Sequence, residues 1–324
     1  MRQPSVAGPG LALALLSAVT FATSGTFARS LINDGWSAEA VVIVRVGIAA
    51  LVLAAPAVIV LRGRWPVLRR NLASIGIFGL LGVAVAQACF FNAVRYLPVG
   101  VALLLEYLGV ILVVGWTWLM QGQRPRRLTV AGSVTALAGL VFVLDLAGAG
   151  RLDPVGVLWG LGAAVGLAGY FVLAGRADPA LPSVVMASGG MAAGAGALLL
   201  LGLVGALPLR ATFDTVEFAG RHTSWLVPIA GLALVAAVVA YLAGIAAARA
   251  LGARLASFVG LSEVLFAVLI AWLVLGELPT VVQLLGGLLI VAGVALVRLD
   301  ELRIPAEPAQ PEATEPEATE PALT

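Results

Sequence analysis

Three ionisable residues stand inside long apolar runs: Arg45 in EAVVIVRVGIAAL, Glu106 in VGVALLLEYLGVILVVGWTWLM and Glu263 in GLSEVLFAVLIAWLVLGELP. In such surroundings a guanidinium and two carboxylates can pair with one another, carry protons or hold a charged small molecule. A charge at the centre of an apolar membrane helix costs about 2.5–3.5 kcal/mol on insertion scales, so each should face a bundle interior or a wet cavity. At a rise of about 1.5 Å per residue, Glu106 lies about 12 Å below one end of its run and Arg45 about 9 Å below the matching end of its own. The two can therefore meet. A structural ion pair and a substrate-facing couple fit this spacing equally well. In the second case a zwitterion such as an amino acid would present its carboxylate to Arg45 and its ammonium to Glu106. Glu263, about 12 Å from the opposite end of its run, is the candidate for a proton carrier or a cation-receiving group.

Weaker candidates accompany these three. Gln87 and Asn92 fall in the outer half of one apolar run, and Thr20, Thr23 and Ser24 form a small polar face on another. Tyr107, Tyr170, Tyr241 and Ser262 are placed to line a cavity or to bond neighbouring helices. The candidate substrate-binding set is Arg45, Glu106, Glu263, Gln87, Asn92, Tyr107, Tyr241 and Ser262. Trp116, Trp118 and Trp272, near the ends of runs, fit an interfacial belt.

The elements that must position these residues follow from composition. Of 324 residues 61% are hydrophobic and 11% charged, with a mean hydropathy of +1.07. Soluble domains carry about 25% charged residues, so this chain lacks the polar surface to cover a globule. It reads as an all-α integral membrane protein. Its formal charge of +2 argues against a nucleic-acid partner, and a single Cys89 and a single His222 argue against a disulfide framework or a multi-ligand metal site. No cofactor motif is present in the sequence.

About 20 residues of helix cross a hydrocarbon core of about 30 Å. Ten runs fit, at 10–28, 39–61, 73–94, 99–120, 128–146, 155–174, 184–206, 225–248, 254–275 and 280–298. The first, preceded by Arg2, exceeds the usual signal-peptide core and is read as a retained helix. With residues 1–9 inside, 13 arginines lie on cytoplasmic segments and 5 outside, which places both termini in the cytoplasm. Residues 299–324, with the tandem Pro-Glu-Ala-Thr-Glu, have a composition that cannot bury enough surface to fold and read as a disordered cytoplasmic tail.

The chain also repeats itself. A shift of 154 residues sets GQRP (122–125) over GELP (276–279). The same shift puts Trp118 on Trp272, Pro125 on Pro279, Gly132 on Gly286, Gly139 on Gly293 and Arg95 on Arg249. Five runs per copy, 10–146 and 155–298, mean that the second copy starts on the opposite side of the membrane. Two inverted five-helix repeats are a common architecture of secondary transporters, with substrate bound between the halves.

Two inverted fives, GLSEVLFAVLIAWLVLGELP closing the ninth run and GGLLIVAGVALV as the tenth resemble the EamA family of the drug/metabolite transporter superfamily. The resemblance covers residues 10–298. It implies export of small metabolites, often amino acids or analogues, without ATP. Val264 stands where many relatives carry proline, and Gln123 where the first repeat often carries Glu.

No HExxH, GxSxG or GxxxxGK[ST] motif occurs, so the expectation is a transporter rather than an enzyme. Its expected partners are a small-molecule substrate, the lipid bilayer and protons, and it is expected as a monomer or homodimer of the cytoplasmic (inner) membrane. Facilitated or inward movement of nucleosides, organic cations or drugs is the alternative transport reading, and a non-transporting membrane protein is the remaining one.

Overall fold

The structure, a computed structural model, is described for residues 7–97, 99–122, 124–143, 153–275 and 280–302. Gln123, the GELP stretch at 276–279 and the tail beyond 302 lie outside the described residues. The helices are α1 (Ala7–Ala22), α2 (Ser24–Asn33), α3 (Ala38–Leu61), α4 (Trp65–Phe78), α5 (Ala86–Tyr96), α6 (Val99–Tyr107), α7 (Gly109–Gln121), α8 (Arg127–Val143), α9 (Pro154–Gly175), α10 (Ser183–Leu203), α11 (Leu226–Ala230), α12 (Ala240–Gly260), α13 (Ser262–Leu275) and α14 (Val281–Leu302). Wider π-helical turns, Gly79–Val85 and Gly231–Val239, join α4 to α5 and α11 to α12. Among the described residues seven helical stretches are long and apolar enough to cross a membrane, and two shorter apolar helices accompany them.

Helix boundaries follow local chemistry. Ser37 caps α3 by accepting from the Ala40 amide at 3.2 Å. Asp153 caps α9 at the Val155 amide, 2.8 Å away, with Pro154 in the first turn. The third run starts at Trp65 rather than 73, because Pro66 presets the helical φ in the first turn. Arg69 and Arg70, expected on the connection between the runs 39–61 and 73–94, therefore fall on a helix. At the other end of the chain α14 runs on to Leu302, so residues 299–302, expected in the tail, continue the last helix.

The longest connection is not irregular throughout. Thr215–Phe218 (β1) pairs antiparallel with Arg221–Ser224 (β2) across a turn at Ala219 and Gly220, both with positive φ. Ahead of it the chain is tied to the α2–α3 link. Trp36 Nε1 donates to the Thr212 carbonyl (2.6 Å), Thr212 Oγ1 to the Asp34 carbonyl (2.8 Å) and the Glu217 amide to Asp34 Oδ2 (3.0 Å). Phe218 stacks on Phe27 with ring centres 5.3 Å apart. At the opposite end of the bundle Asp178, between α9 and α10, accepts from Asn71, the Ala180 amide and Arg70. These donors hold its carboxyl at about 2, below the usual carboxylate value, so it stays ionised and fastens that turn to α4.

Irregularities recur at the 154-residue shift. The π turn at Gly79–Val85 maps into the one at Gly231–Val239, and the break at Leu108 falls one residue from the break at Leu261. Helix pairing is reciprocal in the same register: α1 packs on α12 as α5 packs on α9, while α3 meets α10 and α8 meets α14. At the α8–α14 crossing, a methyl group on Gly132 would lie 2.7 Å from the Gly293 carbonyl oxygen, and one on Gly139 would lie 2.6 Å from that of Gly286. The two backbones touch, and only hydrogen fits between them. We expect Gly139→Val to destabilise the protein by about 1–3 kcal/mol through overpacking. Thermal unfolding in detergent measures this, and an unchanged midpoint would contradict the crossing.

Candidate substrate cavity

A cavity of about 1000 Å³ lies inside the bundle. It reaches the surface beside the hairpin, where Asp34, Glu217 and Phe218 border it, and extends inward to Ala14, Ala247 and Gly260. One helical turn beyond Ala14 and Ala247, Gly10 lies against Leu251 and Ala250. There Arg249 donates to the Leu181 carbonyl and Arg254 to Thr117 Oγ1 (3.2 Å). Between those arginines Gly252 has φ +79° and ψ 157°, a conformation that glycine alone adopts readily. The chain turns at this closed end before it re-enters the cavity wall.

Six of the eight candidate residues line this cavity: Arg45 from α3, Gln87 from α5, Glu106 and Tyr107 from α6, Tyr241 from α12 and Glu263 from α13. Glu106 stands two residues before the break at Leu108, and Glu263 two residues after the break at Leu261. Their three-residue offset in the repeat register thus places them on opposite sides of equivalent breaks. Glu106 and Glu263 feel each other's charge, and the Tyr107 hydroxyl faces the Glu263 carboxylate.

Asn92 and Ser262 are not among the cavity-lining residues. Asn92 is buried, donates to the Ala88 carbonyl (2.8 Å) and accepts from Arg95 Nη1 (3.3 Å). Ser262 Oγ donates to the Val259 carbonyl at 2.6 Å, beside the break that opens α13. Both side chains serve their own helices. The expected meeting of Arg45 with Glu106 also fails: among the described residues no ion pair joins them. Arg45 turns instead toward α2 and the second π turn, with Nη1 donating to Ser24 Oγ (2.7 Å) and Nη2 to the Ala236 carbonyl (3.2 Å). The acidic side chain of the cavity whose charge acts on it is Glu263.

Sequence reasoning passed over part of the wall. Ser17 and Phe21 were not named, yet they share one face with Ser24, already read as part of a small polar face, at a 3.6-residue period along α1 and α2. Ser17 Oγ donates to the Ala240 carbonyl at 2.8 Å. Aromatic rings supply much of the remaining lining. Tyr241 meets Phe21 and Tyr170 edge-on with ring centres 5.2 and 5.5 Å apart, and Tyr170 meets Phe171 in the same way at 5.0 Å. The Tyr170 hydroxyl is buried beside Ser17.

A helical membrane bundle built from two similar halves, with charged groups in a central cavity, has the form of a carrier. The model of the EamA-like transporter family matches residues 8–145 and again 154–299. The chain belongs to that family. It is 24% identical over 299 residues to the uncharacterized inner membrane transporter YicL of Salmonella typhimurium strain LT2, spanning 91% of this chain and 96% of that one. One solved crystal structure superposes with a TM-score of 0.74 at 20% identity, covering 92% of this chain and 99% of the other. At that identity the likeness concerns the fold.

Accessibility tests the cavity directly. In a Cys89→Ala background, Gln87→Cys should react with a charged thiol reagent, whereas Asn92→Cys should stay protected in the folded protein. Equal reaction at both positions would contradict the wall drawn here.

Proposed function

We propose that the chain is a secondary active transporter that moves a small metabolite across the inner membrane by alternating access. Its ten spans form two inverted five-helix repeats. The observation that carries the reading is a cavity lined by residues of both repeats that reaches one end of the bundle beside the hairpin and exposes Glu106 and Glu263. The matched register of π turns, breaks and glycine crossings supports the inverted repeat, because related halves are expected to flex at related places. The YicL likeness supports the inner membrane, and the arginine distribution supports cytoplasmic termini. In that orientation the hairpin and the cavity mouth face outward.

Export of an amino acid or analogue follows the family resemblance, and protons are the proposed coupling ion. Glu263 is the proposed proton carrier. It faces the Tyr107 hydroxyl and the Arg45 guanidinium, and it interacts with Glu106, Tyr170 and Tyr241 across the cavity. A carboxylate in this position changes its attraction for a charged substrate when it gains or loses a proton, which is the requirement for coupling.

Proteoliposomes loaded with a mixed pool of amino acids, nucleosides and organic amines test the reading by mass spectrometry. Selective loss of one compound, accelerated by an imposed pH gradient, is the expected result. Glu263→Gln should reduce the gradient-driven flux to the level of protein-free vesicles while the purified protein stays monodisperse. Full flux in the variant, with and without the gradient, would remove Glu263 from coupling.

A further inference from the structure

Two carboxylates and one guanidinium line the cavity, and the guanidinium is the most deeply buried of the three. Glu106 and Glu263 are both partly exposed. Arg45 is only 2% exposed, and its two terminal nitrogens are held by Ser24 and the Ala236 carbonyl. Its Nε is buried as well. The mouth repeats the negative sign, since Asp34 and Glu217 are both exposed where they border it. Aromatic rings, Phe21, Tyr170, Phe171 and Tyr241 among them, line the same cavity.

We infer that the cavity's ligand is a small organic amine, cationic overall, with an apolar or aromatic body and no free carboxylate. This rests on the carrier reading above and replaces its amino acid with an analogue that lacks the carboxylate. An ammonium between Glu106 and Glu263 regains there the interactions that it gives up with water, and ring faces attract a cation further. A carboxylate on the same molecule would compete with the two glutamates for hydrogen-bond donors and would be repelled by either one when it is ionised. The guanidinium able to offset it is buried, and both its terminal nitrogens already donate to the protein. The zwitterion suggested by the spacing of Arg45 and Glu106 in the sequence therefore fits this geometry less well than its decarboxylated counterpart.

Matched pairs that differ only in the carboxylate test the inference. Phenylalanine and phenethylamine, leucine and isoamylamine, and lysine and cadaverine are titrated by calorimetry into the full-length protein in detergent. At least one amine should bind about 30-fold or more tightly than its parent amino acid, the scale expected for a buried charge contact. Glu106→Gln and Glu263→Gln should each weaken that amine by a similar factor. Should either variant fail to fold, the wild-type pairs still decide. Equal or reversed preference within the pairs, no amine binding, or unchanged amine affinity in both variants would overturn the inference. Efflux from proteoliposomes separates the two claims. An amine that binds but is not moved contradicts the carrier and leaves the inference standing. An amino acid moved in place of its amine contradicts the inference and leaves the carrier standing.

Discussion

A carboxylate deep in an apolar bundle needs water, a proton or a partner, and the rest of this structure is arranged around that need. Glu106 and Glu263 meet it in a cavity of about 1000 Å³ rather than in an ion pair. Keeping such a space open in a membrane bundle constrains the helices that surround it. The first and third runs are broken or widened, at Thr23 and at Gly79–Val85, and the eighth at Gly231–Val239. Away from the cavity the packing is close: α8 and α14 cross backbone to backbone through paired glycines. Tight contact on one side and irregular helices on the other go together, since a uniformly packed bundle would leave nowhere for the charges.

The positions of these irregularities connect fold to mechanism. A π turn or a break supplies a hinge where a helix can bend without losing all its backbone bonds. Here the hinges occur in pairs at the repeat shift, and each glutamate sits two residues from one of them. Movement at Leu108 or Leu261 would therefore shift a carboxylate relative to the cavity. The closed end has its own break at Gly252, between Arg249 and Arg254, which are bonded to the Leu181 carbonyl and to Thr117. The hairpin at the open end is held to the α2–α3 link by backbone and side-chain bonds, so it frames the mouth as a fixed rim.

Much of this was legible in the sequence because membrane helices announce themselves by long apolar runs, and because intramembrane charges are too costly to be placed at random. Arg45, Glu106 and Glu263 were found that way, and all three line the cavity. Their pairing was not legible: depth along a helix says how far a residue sits from the surface, not which way its side chain turns. Arg45 could reach Glu106 by depth, yet its head is taken by Ser24 and Ala236. Asn92 and Ser262 were misplaced for a related reason, since a polar side chain in a helix can bond its own preceding turn. The π turns and the break at Leu108 left no mark in composition. The hairpin was hidden because a four-residue strand, TVEF, is too short to show a period against a polar loop.

The central claim is that a single cavity opens alternately to the two sides as the halves move against each other. Pulsed electron–electron distance measurements in lipid nanodiscs test it, with spin labels at Tyr96 and Glu217 on the hairpin side and at Arg124 and Arg176 on the opposite side, in a Cys89→Ala background. The account predicts two distance populations for each pair, with the hairpin-side distance shortening as the opposite one lengthens when pH is changed. A single unchanging distance on the side closed by Arg249, under every condition in which the protein moves substrate, would contradict it.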